Sequence, residues 1–122
     1  MYKISDKRAR ILSFERTVSI HEGFYFYTNI GDSTGVVAMS LRDFLDKLQT
    51  IDSSSIEFHF HRQDFEKWIK DVIGDDVLSQ RIREIGRGPH APGELREKIT
   101  KLVENRLAEL PDGQPLQDAR LP

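Results

Sequence analysis

Between Gly23 and Leu48 the hydrophobic residues change their period, and no other feature of the chain restricts its fold as much. The run FYFYTNI, residues 24–30, is made of aromatic and β-branched side chains that suit a strand. GDSTG, residues 31–35, is turn chemistry, and Val36 to Met39 can return as a second strand. This predicts a hairpin over about 24–39. After Met39 the spacing becomes helical. Leu41, Phe44, Leu45 and Leu48 recur at i, i+3, i+4 and i+7 behind Ser40, a fitting N-cap. Two strands alone are marginally stable, so the hairpin must lean on helices or gain a third strand. ILSFERTVSI, residues 11–20, could supply it, with Leu12, Phe14, Val18 and Ile20 on one face. A short helix from Arg8 to Val18 fits that segment nearly as well.

Further helices follow. Asp52-Ser-Ser-Ser offers a start, with Ser54 and Glu57 at capping-box spacing. Phe65, Trp68, Ile69, Val72 and Ile73 share one face of a helix that Asp64 can cap and Gly74 can end. Asp75 or Asp76 opens the next, with Leu78, Ile82 and Ile85 inward and Gly86 as its stop. The last helix, Gly93 to Leu110, carries Leu95, Ile99, Leu102, Val103, Leu107 and Leu110 as one stripe, and Pro111 ends it. The fold class is α+β and mostly helical: an aromatic N-terminal hairpin, with two or three strands, packed with four to five helices. Residues 1–10 read as a flexible basic arm, 11–110 as a single globular domain, and 111–122 as a disordered proline-containing tail.

Composition narrows the functions. A formal charge of −2, from 18 Lys+Arg against 20 Asp+Glu, sets up no field that draws in nucleic acid or anionic lipid. The absence of cysteine removes disulfides, thiol nucleophiles and thiolate metal sites, and fits a reducing cytoplasm. No run approaches the ~18 apolar residues of a membrane span. Neither a phosphate-loop motif nor a nucleophile elbow is present, so phosphate-cradling and triad chemistry lack a starting point.

The densest polar cluster is SSSIEFHFHRQDF, residues 53–65. In a strand, Glu57, His59 and His61 would share a face, and HxH with Glu57 or Asp64 would be a fair start for a zinc or iron site. In a helix, residues two apart diverge by roughly 200°, and the two histidines could not share a metal. Ile56, His59 and Phe60 would then face inward, with Glu57 and His61 elsewhere. The serine-rich start and the helical spacing from Phe65 favour the helix; the strict alternation favours the strand. Asp64, Asp71, Asp75 and Asp76 could serve acid/base chemistry, although capping or a solvated face accounts for each. Arg87 and His90, in GRGPHAPG, could form an anion-binding loop ahead of the last helix, and a plain connector is the simpler reading. Whichever aromatics of 24–27 face inward, two remain for the other side, as an apolar patch for a partner or under a covering helix.

FYFYT, IG-x(2)-TG, His59, DF-x(2)-WI at 64–69 and VIGDD-x-L at 72–78, in this order, resemble a family of small archaeal proteins classed as a domain of unknown function. The resemblance covers about Gly23 to Leu110. It implies an archaeal, cytoplasmic source and a small module that also occurs appended to larger proteins, and it implies no catalytic residues. Ser79 departs from the pattern, standing where a small apolar residue is usual.

These observations lean away from an enzyme. They favour a protein-interaction or regulatory module whose surface comprises Tyr25, Tyr27, His61, Arg62 and Asp64, or which self-associates through the last helix. The alternative is a small metal- or ligand-binding enzyme centred on Glu57, His59, His61 and Asp64.

Overall fold

Alternating burial at Phe24 to Tyr27 fixes which side of the hairpin becomes core. In the computed structural model, which describes residues 18–86, 91 and 93–110, Phe24 and Phe26 are buried while Tyr25 and Tyr27 face the other way. The expectations for 1–17, for the Arg87/His90 loop and for the tail 111–122 lie outside the described residues. Strand β1 (Phe24–Asn29) pairs antiparallel with β2 (Asp32–Ala38), setting Phe24 opposite Ala38 and Tyr27 opposite Ser33. The turn is tighter than the sequence suggested. Ile30 and Gly31 make it, Gly31 with φ 80°, and β2 begins at Asp32 rather than Val36. Gly35, with φ 81°, sits within an irregular part of the ladder instead of breaking the strand. There the Thr34 hydroxyl donates to the Phe26 carbonyl (2.8 Å) and accepts from the Val36 N–H (3.1 Å).

Among the described residues the sheet has two strands and gains no third. Ile20–Glu22 is a single 3-10 turn, and Ile20 is exposed rather than inward. Val18 is buried and its N–H donates to the Met39 carbonyl at 2.7 Å.

Among the described residues five helices follow. α1 (Leu41–Leu48) is capped by Ser40, whose hydroxyl accepts from the Asp43 N–H. α2 (Ser53–Arg62) is capped by Asp52, whose carboxylate accepts the Ser54 N–H at 2.9 Å, rather than through the Ser54/Glu57 pair. α3 (Asp64–Trp68) runs on into one π-helical turn, Ile69–Ile73, and Gly74 (φ 88°) stops it. Both Ile69 and Ile73 lie fully in the core. α4 (Asp76–Ile85) is capped by Asp75 through the Leu78 N–H (3.0 Å), and α5 spans Glu94–Glu109. None of these helices is long and apolar enough to cross a membrane.

The centre of the core is aromatic. The Phe24 ring packs on Phe26 (4.9 Å between centroids) and Phe65 (5.2 Å), and Phe44 on Trp68 (5.4 Å). α5 closes the other side with Leu95, Ile99, Val103, Leu107 and, just beyond it, Leu110, all buried. The stripe expected to serve self-association is thus turned into the core, and only Leu102 of it is left partly exposed.

Polar side chains lock these layers at fixed points. The Arg96 guanidinium donates to the carbonyls of Leu48 (2.6 Å) and Ile51 (2.7 Å), satisfying the end of α1 from α5. The Trp68 indole N–H donates to the Glu22 carbonyl (2.7 Å). Asp75 is wholly buried, and its second oxygen accepts from Arg106 Nε at 2.8 Å. Removing one partner strands a buried charge, so Arg106→Ala should lower the urea unfolding free energy by about 3–5 kcal/mol. Arg81→Ala, which loses a partly exposed pair with Glu109, should cost less than about 1 kcal/mol. Equal losses in the two variants would contradict a buried Asp75 ion pair.

Candidate functional site

The stretch 53–62 is one helix, and its 3.6-residue period sends neighbouring side chains to different places. Ile56, His59 and Phe60 turn inward, while Glu57 and His61 share another face as an i, i+4 pair, 3.2 Å apart and largely solvated. His59 is 4% exposed and lies against the edge of β1. Its Nε2 accepts the Tyr27 backbone N–H at 2.8 Å, and Nδ1 lies 2.8 Å from Asp64 Oδ2.

These two contacts assign the ring's protons. Nε2 must present its lone pair to an N–H, so the proton of a neutral imidazole sits on Nδ1 and is donated to the carboxylate. Burial pushes the His59 imidazole below the usual histidine range, and the Asp64 carboxylate, which pulls the other way, does not restore it. A histidine oriented by a carboxylate is also the geometry of a general base. Here the second nitrogen already holds a backbone N–H, so the ring has no lone pair to offer a substrate or metal.

The proposed metal set is corrected by the same geometry. His59 and Asp64 are bonded to each other on the hairpin side, Glu57 and His61 to each other on a solvated face, and the four do not converge. Among the described residues no group of three or more His, Asp or Glu side chains is placed to hold a metal ion. Asp64 also departs from its expected capping role. It is the first residue of α3, follows Gln63 in the left-handed conformation (φ 65°), and accepts instead from His59 Nδ1 and Arg62 Nε (3.0 Å). Asp75 does cap, as anticipated, and Asp71 and Asp76 are exposed.

Beside His59 lies an open groove of about 340 Å³ between β1, the hairpin turn and the last turn of α2. Tyr25, Tyr27, Arg62 and Asp64 line it, together with Ile30 and Phe58. His61 is not among them; it borders a different cavity on the far side of α2. Four of the five residues expected on an interaction surface are therefore neighbours, and one is not. Tyr25 is 40% and Ile30 71% exposed, so among the described residues no helix fully covers this side of the hairpin. The Arg62 guanidinium carbon stands 5.1 Å above the Phe58 ring. Phe58 escaped notice because it matters only once the segment is known to be helical. Phe58 and Arg62 are then i, i+4 neighbours on one face. Ile30 read as strand and is instead the turn.

Truncating His59 leaves the Tyr27 N–H without a partner and the Asp64 carboxylate with Arg62 alone, and opens a void. His59→Ala should therefore destabilise by roughly 2–5 kcal/mol, and His61→Ala by less than about 1 kcal/mol. Similar losses for the two would remove His59 as the anchor. The pH dependence has a definite sign. Native His59 binds its proton more weakly than the unfolded chain, whose histidines titrate near ~6.5. The unfolded state then takes up protons first as the pH falls, so this contribution is present above ~6.5 and is lost below it. Melting temperature should fall from about pH 7 to about pH 5 more steeply in the wild type than in His59→Gln. Parallel slopes would count against this assignment.

No curated protein matches the chain, and no solved structure matches it. The model of one family, described as a family of unknown function (DUF5752), matches residues 21–118. That span takes in the hairpin, all five helices and every named residue of the groove, and the chain belongs to this family of unknown function.

Proposed function

We propose that this protein is a non-enzymatic interaction module, and that its groove takes a peptide segment bearing an apolar or aromatic side chain beside a carboxylate. The carrying observation is the pairing, in one groove, of uncovered apolar surface with a guanidinium held from two sides. Tyr25, Tyr27, Phe58 and Ile30 supply the apolar wall that a side chain of a partner would cover. Arg62 is half exposed, stacked on Phe58 and tied through Nε to Asp64, so a partner need not order it on binding. Its terminal nitrogens are the donors that remain, and a carboxylate fits their planar fork. The hairpin carries no Lys or Arg from Glu22 to Leu41, so a phosphate backbone would find little to hold it there.

Selection from a displayed peptide library should enrich sequences with a large apolar residue a few positions from Asp or Glu. Affinity measured by fluorescence anisotropy should drop about tenfold or more in Tyr27→Ala and in Arg62→Ala, and stay unchanged in His61→Ala. Failure to enrich any acidic-apolar sequence, or binding indifferent to Tyr27 and Arg62, would refute the reading.

A further inference from the structure

His59 borders the groove and is bonded to both of its walls. Tyr25 and Tyr27 stand on β1, Phe58 and Arg62 on α2, and Asp64 at the start of α3. The Tyr27 N–H to Nε2 contact (2.8 Å) ties the hairpin wall to the helix wall. The contact of Nδ1 with Asp64 Oδ2 (2.8 Å) ties the ring to the carboxylate that also holds Arg62 (3.0 Å). Only a neutral imidazole fits this arrangement. Its single lone pair is spent on the Tyr27 N–H, so a second proton must go to Nε2 and set one N–H against another. Turning the charged ring over does not repair the contact, because both of its nitrogens then donate. Tyr27 would be left with an unsatisfied backbone N–H against the core, a state that folded proteins avoid. Of the groups around the ring, Asp64 on α3 favours the charged form and Arg62 on α2 opposes it. β1 presents the rings of Phe24, Phe26 and Tyr27, and burial pushes the imidazole below the usual histidine range.

We propose that protonation of His59 releases the ligand from the groove: a neutral ring joins the two walls, and a charged ring lets the Tyr27 side of the hairpin part from α2. The inference rests on the reading of the groove as a peptide site and adds the regulation of that site. Both halves of the site respond to the same proton. On the hairpin, Tyr27 loses its acceptor and carries the apolar wall away from Phe58. On α2, the imidazolium draws Asp64 Oδ2 into an ion pair, and Arg62 loses the brace that holds it over Phe58. Linkage then fixes the sign. A ligand that binds the joined walls prefers the neutral ring, so it lowers the proton affinity of His59, and acid lowers the affinity for the ligand by the same factor. Affinity is level above the ordinary histidine range, near ~6.5, and declines only below it. His61 cannot act in this way, since it is solvated and its ring meets Glu57 on another face of the helix.

The first arm of the test needs no ligand. In the 15N-labelled full chain taken from about pH 8 to about pH 5, the His59 ring nitrogens and the Tyr27 amide should titrate together, with one midpoint below ~6.5. The amides of Ile99 and Val103 in α5 should stay in place. In the second arm, a peptide selected on the groove is titrated by fluorescence anisotropy at about pH 7.5 and about one pH unit below that midpoint. Wild-type affinity should fall about tenfold, the reciprocal of the fraction of rings still neutral. His59→Gln keeps an amide oxygen for the Tyr27 N–H and cannot take up the proton, so its two affinities should agree within about twofold. His61→Ala should show the wild-type ratio. If His59→Gln does not fold, the wild-type amide titration and His61→Ala carry the test. A Tyr27 amide that ignores the His59 ring overturns the proposal, as does a chain that unfolds before the ring titrates. So does wild-type affinity that is level across the midpoint, or a pH dependence that survives in His59→Gln or vanishes in His61→Ala. Coupled titration of ring and amide with no peptide bound at any pH would refute the peptide reading and still bear out the parting of the walls.

Discussion

The hydrogen bond from the Tyr27 N–H to His59 Nε2 is the contact on which the arrangement of hairpin and helices depends. A two-stranded sheet has an unpaired edge on each strand, and an edge N–H that faces protein rather than water must find an acceptor. β1 finds its acceptor on a side chain of α2, in a ring that cannot swing away because Asp64 holds its other nitrogen. One imidazole thereby joins the sheet, α2 and the start of α3. It also sits among Phe24, Phe58 and Phe65, with ring centroids 4.8–5.8 Å away, so displacing it would disturb the aromatic core as well.

The groove follows from that anchoring. Because Asp64 is drawn to His59, it is also in place to receive Arg62, and Arg62 in turn settles over Phe58. The chain of contacts runs from a buried backbone N–H outward to a half-exposed cation. A binding surface built on such a chain is rigid for a reason internal to the fold, and rigidity of the contacting groups is what lets a small area bind. Elsewhere the structure uses polar groups in the same manner. Arg96 finishes α1 from α5, and Arg106 meets Asp75 below α4. Each joins elements far apart in sequence.

Much of this was legible in the residue pattern, and the rest was hidden for identifiable reasons. The hairpin, the Ser40 and Asp75 caps, the Gly74 stop and the inward set of α5 are local, since each depends on residues within a turn or two. Of the residues expected on one surface, Tyr25, Tyr27, Arg62 and Asp64 lie along the groove and His61 does not. What stayed hidden were partnerships across the chain. Nothing near His59 announces that an N–H 32 residues earlier will claim its Nε2, and Asp64 looked like a cap because capping is the nearest use for it. The π turn at 69–73 left no mark, since Ile69, Val72 and Ile73 fit a regular helix as well. The alternation in IEFHFH pointed to a strand only because a helix scatters those side chains to three separate destinations.

That scattering has a consequence for function. Phe58 and Arg62 go to the groove, His59 to the core, and Phe60 and His61 to the cavity beyond. The two concavities therefore share one ten-residue helix and its junction with α3, where Gln63 adopts a left-handed conformation that non-glycine residues seldom take. Gln63 borders the cavity and its successor Asp64 borders the groove. His59 and Arg62 both bond to Asp64, so this break between helices is a held joint rather than a hinge, and it fixes the two concavities back to back.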